Sequence, residues 1–274
     1  MLCRREEQAR ALAGRGLRVT GKADFTATLA ATADAAELPA VDLVIVATKA
    51  TELDGAAARL EGLLPAAVVM PVQNGLGAEE IVRRHGGWSL LSSVTFMSGT
   101  RHTDTEVEYV LDTETWLGPY GDTPVEVAEE TARLLVSSGL KARAFADLRP
   151  AQWSKLVFNA TVNGVAALTG LRHDFHFAEG DLGELVHGLV DEGKSVAAAA
   201  GIPLHDDPWE MNVLATRRGS AHRPSMLEDV TARRPTEVEL INGALVREAE
   251  RLGVRAPLHG ALYALVKGRE TSYS

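Results

Sequence analysis

The chain contains 274 residues, 46% of them hydrophobic, which is enough to bury a core in two domains of ordinary size. Its 37 acidic residues against 28 Lys and Arg give a net charge of -9, which argues against nucleic acid or an anionic membrane as partner. The single cysteine, Cys3, excludes an internal disulfide, and the scattered histidines lack zinc-binding spacing, so we expect no metal site. No apolar run is long enough to span a bilayer or to act as a signal peptide. We therefore expect a soluble cytoplasmic protein with a small-molecule partner.

The first half of the sequence alternates short β-rich runs with helical patterns, which is typical of a parallel α/β sheet. Apolar runs predict strands at residues 41–48, 66–73, 89–96 and 140–146, and a hairpin over 105–118. Helical periodicity predicts helices at residues 52–64, 77–85 and 125–139, the last ending at Gly139. From residue 151 onward the periodicity is helical only. We therefore predict an α/β fold, with a parallel-sheet domain at residues 1–148 followed by an all-helical domain at residues 149–274.

Three polar residues, Lys155, Asn159 and Asn163, stand four residues apart in a predicted helix that is otherwise apolar. Four residues advance about 400° around an α-helix, so their side chains form one slowly drifting stripe. Such a stripe either faces water or converges on a ligand. The helix has no broad polar face, which favours a ligand. A buried lysine must be paired, or else its pKa falls and its amine becomes useful in proton transfer.

Glycine-rich turns that could hold a pyrophosphate are incomplete in this sequence. A doubly wound nucleotide-binding domain normally opens with a strand, a GxGxxG turn and a helix, and no such unit precedes residue 41. The GxG of residues 14–21 is followed by a β-like run rather than a helix. In "GLGAEE", Glu80 stands where the third glycine belongs, and a carboxylate there would repel a pyrophosphate. We interpret Gly75 and Gly77 as turn glycines rather than as a phosphate loop.

Several segments together resemble the ketopantoate reductase family. They are "DLVIVATKA", "PVQNGLGAEE", "WSKLVFNATVN" and "PSMLEDVTARRPTEVELINGALVREAERLGVRAP". The resemblance covers essentially the whole chain and implies a Rossmann-like nucleotide-binding domain followed by a helical domain. It begins at the end of the family's second strand, so we expect a sheet domain that is incomplete at its start, without the first strand, Gly-rich turn and helix.

The resemblance implies a role for each matching residue of the helical region. Lys155 aligns with the family's catalytic lysine, which protonates the ketone oxygen as hydride arrives. Asn159, Asn163 and Ser225 align with substrate-binding positions. Glu237 aligns with an active-site glutamate that contacts cofactor and substrate. Read without the resemblance, "TEVE" is a capping box of Thr236 and Glu239 at a helix start, and we assign the cap to Glu239 and the site to Glu237.

Positions in the sheet domain are implied to bind the cofactor. Asn74 aligns with an asparagine that touches both cofactor and substrate, although an Asn-Gly turn alone would also explain it. Lys49 follows the end of a strand, and the family places a lysine there near the nicotinamide. A lysine at a helix start that simply faces solvent would explain this position equally well. Gly99 aligns with a position whose backbone faces the cofactor.

Two further assignments are implied less directly. Arg4 and Arg5 follow what resembles the second strand, where an arginine can read a 2′-phosphate and so prefer NADP, or else both are solvated. His173 falls near a substrate-contacting position of the family.

The sequence thus predicts an NADPH-dependent oxidoreductase that converts 2-dehydropantoate to pantoate in pantothenate biosynthesis, with NADP as cofactor. Two alternatives stay open. One is reduction of another branched or bulky 2-keto acid. The other is a non-catalytic family remnant that cannot hold a dinucleotide. A second copy of the chain is a candidate partner, as a homodimer, because an incomplete sheet would expose apolar edges.

Overall fold

The computed structural model describes residues 1–172, 179–217 and 223–273. The chain divides into two compact units that interleave along the sequence. The first unit comprises Met1–Val46, Gly55–Val72 and Ile81–Ala146, and the second comprises Ala47–Asp54, Gln73–Glu80 and Asp147–Ser274. Two short segments that follow strands therefore belong to the helical unit. The single boundary expected near residue 148 stays a prediction.

The first unit contains two sheets. Its strands are β1 (Leu17–Gly21), β2 (Phe25–Ala27), β3 (Leu43–Val46), β4 (Val68–Pro71), β5 (Ser89–Thr95), β6 (Ser98–Arg101), β7 (Glu106–Leu111), β8 (Thr115–Tyr120) and β9 (Ala142–Ala144). The larger sheet has the order β3-β4-β5-β8-β9, in which β3, β4 and β5 run parallel and β8 runs antiparallel to β5. Apolar side chains of its strands pack against a helix, α4 (Val125–Ser137). The predicted parallel α/β sheet is confirmed.

The hairpin predicted over residues 105–118 is wrong. Strand β7 pairs with β1 and β6 in the smaller sheet, whose order is β2-β1-β7-β6, whereas β8 pairs with β5 and β9 in the larger one. The alternation of polar and apolar residues along a strand shows which of its faces is buried, but it does not identify the neighbouring strand. Here the β7–β8 link carries the chain from one sheet to the other instead of turning it back. Strand β6, the true hairpin partner of β7, was not predicted.

Helices form most of the second unit, as predicted. In chain order the helices of the protein are α1 (Glu6–Arg15), α2 (Ala50–Ala58), α3 (Ala78–Arg83), α4, α5 (Arg149–Thr169), α6 (Gly180–Ala199), α7 (Pro208–Arg217), α8 (Ser225–Thr231), α9 (Asn242–Leu252) and α10 (Pro257–Thr271). Helix α5 ends at Gly170 in the left-handed conformation that favours glycine. Within the described ranges no helix is both long and apolar enough to cross a membrane.

The core of the second unit is built around α5. Three groups of buried residues each take part of their members from this helix, and α6, α8, α9, α10 and the turn before α9 supply the others. A helix in contact with so many neighbours is apolar on most of its circumference. This explains why Lys155, Asn159 and Asn163 occupy only a narrow stripe of α5.

His259, near the start of α10, is fully buried and is expected to make stability depend on pH. Its Nε2 donates to the Leu189 carbonyl at 2.8 Å, while Glu192 accepts from the backbone N–H groups of Leu258 and His259. Burial lowers the pKa of His259 from 6.5 to about 4. The unfolded chain therefore binds more protons between these values, and the free energy of unfolding should fall by as much as about 3 kcal/mol as pH drops through that window.

Denaturant unfolding of the His259→Gln variant across this pH range tests the expectation. The variant keeps an N–H donor but cannot take up the proton, so its stability should be less dependent on pH than that of the original chain. The matched control is His102→Gln, which makes the same replacement at an exposed position. Equal pH dependence in the His259 variant and the original chain would contradict the assignment.

Candidate functional site

Helix α5 carries the polar stripe. Asn159 and Asn163 are almost completely buried, at 7% and 6% exposure, and Lys155 is partly buried one turn before them. Neither asparagine side chain has a hydrogen-bond partner among the described residues. Buried amides without a protein partner are available to a ligand. The stripe is therefore not a water-facing surface of the helix.

Lys155 has the protonation chemistry of a proton donor. Burial lowers the pKa of Lys155 from 10.5 to about 8, and the nearby charge of Glu237 acts in the opposite direction. Near neutral pH the side chain is mostly an ammonium, but it releases its proton more readily than a solvated lysine does. A donor with a pKa close to the working pH is suited to general acid catalysis.

Glu237 joins three parts of the second unit. It is 7% exposed, and one carboxylate oxygen accepts the backbone N–H of Ala50 at 3.1 Å, at the first residue of α2. The other oxygen accepts from the Asn74 amide, also at 3.1 Å. Together with its electrostatic effect on Lys155, these bonds bring three residues predicted from the sequence, Asn74, Lys155 and Glu237, into one neighbourhood.

The capping box expected at Thr236 and Glu239 is wrong. Helix α9 begins only at Asn242, and both the backbone N–H and the hydroxyl of Thr236 donate to Glu270, at 2.6 and 2.7 Å. Glu239 instead accepts from the Tyr263 hydroxyl on α10. Capping-box spacing is a local pattern, and here contacts with a distant helix determine where both side chains bond.

The Asn74-Gly75 turn is held against the turn that carries Glu237. Gly75 has a φ of +96°, and a Cβ atom there would overlap the Leu240 carbonyl oxygen. The same oxygen accepts the Leu76 N–H at 2.9 Å. Gly77 also has a positive φ, which fits the interpretation of both residues as turn glycines. Only glycine permits this approach, which sets the position of Asn74.

Replacing Gly75 by alanine is expected to displace Asn74 from Glu237. The new methyl group would overlap the Leu240 carbonyl, so the turn must move away and the contact between Asn74 and Glu237 must lengthen. We expect ligand affinity, measured by calorimetry, to fall about tenfold or more, since each lost tenfold corresponds to about 1.4 kcal/mol. Gly201→Ala is the matched control, because it has a φ of +69° but open space around it. Equal affinity losses in the two variants would attribute the effect to backbone strain alone.

Lys49 forms an ion pair rather than standing free in solvent. Its Nζ lies 2.8 Å from the carboxylate of Asp229, which is buried and is also bound by Arg234 at 3.1 Å. Asp229 belongs to α8, the helix that begins at Ser225, and Ser225 itself is partly buried. Sequence reasoning gave no role to Asp229. Its position among buried residues of a short helix was the available signal, because a buried aspartate needs a cationic or hydrogen-bonding partner.

Arg4 and Gly99 belong to the first unit. Arg4 and Gly99 are exposed, and Gly99 lies in β6 opposite Tyr109 of β7. The guanidinium of Arg5 is bound to Asp104 at 2.6 Å. His173 lies outside the described residues. The cofactor contacts of Arg4 and Gly99 stay predictions, and the described part of the chain contains no cluster of three or more His, Cys, Asp or Glu residues that could hold a metal ion.

Comparison with known proteins identifies the family of the chain. Residues 1–122 match the family described as "Ketopantoate reductase PanE/ApbA", and residues 147–270 match its C-terminal part. The 2-dehydropantoate 2-reductase of Archaeoglobus fulgidus is 30% identical over 257 residues, which cover 94% of this chain and 85% of that protein.

Solved structures agree with this result. The crystal structure of 2-dehydropantoate 2-reductase from Methylococcus capsulatus has a TM-score of 0.87 and 28% identity, covering 98% of this chain and 88% of that one. A ternary structure of D-mandelate dehydrogenase with NADH and anilino(oxo)acetate has a TM-score of 0.87 and 25% identity, covering 97% of this chain and 89% of that one. Matches in both parts of the sequence and in the fold confirm the resemblance, and the chain belongs to the ketopantoate reductase PanE/ApbA family.

Proposed function

We propose that this protein is an NADPH-dependent reductase that converts 2-dehydropantoate to pantoate, in pantothenate biosynthesis. The observation that carries the proposal is the partly buried Lys155, whose pKa is lowered to about 8, on a helix that also presents two buried amides. Family membership and the curated 2-dehydropantoate 2-reductases among its relatives support the same reaction.

In the proposed reaction, NADPH, when bound, would supply the hydride that the ketone carbon receives. Lys155 donates its proton to the ketone oxygen as negative charge develops there, which yields the hydroxyl of the product. Asn159, Asn163 and Ser225 hold the substrate, since amides and hydroxyls can donate to a carboxylate and accept from a hydroxyl. Glu237 keeps the ammonium form of Lys155 favourable in a partly buried position.

Contacts within the second unit support the assignment of the residues that would hold the cofactor. Glu237 holds the Asn74 amide, and Asp229 holds the Lys49 ammonium, so a donor amide and a cation are held in the same unit. This donor set fits a nicotinamide dinucleotide, which carries amide, hydroxyl and phosphate groups. We assign Asn74, Lys49, Glu237, Gly99 and Arg4 to cofactor binding, and Arg4 to the preference for the 2′-phosphate of NADPH.

The test is oxidation of NADPH and of NADH, followed by absorbance, with 2-dehydropantoate and a panel of other 2-keto acids. We expect the highest kcat/KM with NADPH and 2-dehydropantoate. A higher value with phenylglyoxylate would favour the second candidate, a reductase of another bulky 2-keto acid. That candidate is supported by the structural similarity to D-mandelate dehydrogenase. The proposal would be overturned if no pair of cofactor and 2-keto acid gave turnover and a titration showed no NADPH binding.

A further inference from the structure

The turn formed by residues 237–242, here called the hub turn, bonds to three segments of the second unit. Glu237 binds the start of α2 and the Asn74 side chain, and the Leu240 carbonyl accepts from Leu76. At its far end, Asn242 donates its Nδ2 to the carbonyl of Ala160 at 2.7 Å. The hub turn therefore connects the residues of the candidate site to α5 through a side chain that none of the roles above uses.

Asn242 is an unusual residue for its position. It is 0% exposed, and its Oδ1 has no hydrogen-bond partner among the described residues. A buried polar atom without a partner costs about 1 to 3 kcal/mol, so an apolar side chain of the same size would be cheaper there. The benefit that offsets this cost is the bond to Ala160, which follows the site residue Asn159 directly in α5.

A second close contact on α5 lies one turn further along. A Cβ atom at Gly164 would lie 2.7 Å from the Leu262 side chain of α10, so the absence of a side chain at Gly164 lets the two helices approach closely. Asn242 and Gly164 thus fix the same stretch of α5, and the stripe of Lys155, Asn159 and Asn163 lies along it. A helix held at two points is limited in its ability to shift or rotate.

We propose that Asn242 is a positioning residue of the active site, which holds α5 so that Lys155 and Asn159 keep their places relative to Glu237. The expected effect of Asn242 on catalysis rests on the proposed function. The expected effect of Asn242 on the position of α5 does not rest on it, because the position of Lys155 relative to Glu237 can be measured without turnover. A purely structural role would change stability alone.

The experiment compares Asn242→Leu with a matched variant, Asn212→Leu. Asn212 on α7 is also 0% exposed, and neither atom of its amide has a hydrogen-bond partner among the described residues. Both variants replace a buried asparagine by leucine, but only the first removes a bond to α5. Thermal unfolding, kcat, KM and the Lys155 pKa, from NMR of 13Cε-labelled lysine, are measured for each. Asn242→Ala is made as well, because the smaller alanine side chain lets the protein fold if leucine does not fit at this position.

For the Asn242 variants we expect kcat to fall about tenfold or more and the Lys155 pKa to move by more than about 0.3 units. Asn212→Leu should leave both unchanged. An unaltered Lys155 pKa in the Asn242 variants would overturn the proposal, whatever the change in stability. If the original chain reduces none of the 2-keto acids, the proposed function fails, and the NMR titration still decides whether Asn242 positions α5.

Discussion

Replacing Lys155 by alanine is expected to lower kcat by about 10²- to 10⁴-fold, the range that a positioned general acid contributes. The ammonium donates the proton that the developing alkoxide needs, and no other lysine stands in the polar stripe of α5. Stability should not fall in parallel. Burial disfavours the charged form of Lys155, as its lowered pKa shows, so removing the charge relieves a cost of folding.

Steady-state NADPH oxidation and thermal unfolding of the same samples separate these two effects. Lys194→Ala is the matched control: it removes a partly exposed lysine of α6, whose ion pair with Asp207 at 2.6 Å is a surface pair of small value. We expect the control to retain its rate. A Lys155→Ala variant with an unchanged rate would remove Lys155 from the mechanism. A loss of rate that matches a loss of folded protein would assign it a structural role.

The local features of this protein were predictable because they depend on neighbours in the sequence. The burial of α5, the stripe of Lys155, Asn159 and Asn163, and the turn glycine Gly75 all follow from spacing and backbone chemistry over a few residues. Family resemblance then added Glu237 and Asn74. The strand positions of the larger sheet followed from apolar runs, and their order in the sheet did not.

The errors share a different cause. The capping box at Thr236 failed because its partner, Glu270, lies on a helix 34 residues further along the chain. The bond from Asn74 to Glu237 spans 163 residues, and that from Lys49 to Asp229 spans 180. Periodicity describes which face of an element is buried, but contacts of such separation depend on how the elements pack. The partners of Asp229 and Asn242 are therefore found only in the structure.

Glu237 lies where several of these long-range contacts meet, and its replacement by glutamine is expected to have the second large effect. The carboxylate accepts two hydrogen bonds, from the Ala50 N–H and the Asn74 amide. A glutamine amide offers one acceptor oxygen and one NH₂ group, so it can serve both partners only if the Asn74 amide rotates to present its oxygen instead of its NH₂ group. Loss of the negative charge also removes an electrostatic effect that raises the pKa of Lys155.

The sign of the resulting pH dependence follows from the role of Lys155. A general acid must be protonated to act, so kcat/KM falls as pH rises through its pKa of about 8. Without the Glu237 charge this pKa moves down, the alkaline limb of the profile moves to lower pH, and a smaller share of the enzyme is active near neutrality. We expect kcat/KM at pH 8 to fall about 10- to 100-fold, which corresponds to about 1.4 to 3 kcal/mol.

Profiles of kcat/KM against pH for Glu237→Gln and Glu239→Gln provide the measurement. The two variants lose the same charge two residues apart, but the Glu239 carboxylate is bound to Tyr263 and Lys267, and it is not among the groups that shift the Lys155 pKa. The limb should therefore move only in Glu237→Gln. If the alkaline limb moves equally in both variants, the net charge of the unit controls the titration. If the limb moves in neither variant, the group that limits the rate at high pH is not Lys155 beside Glu237.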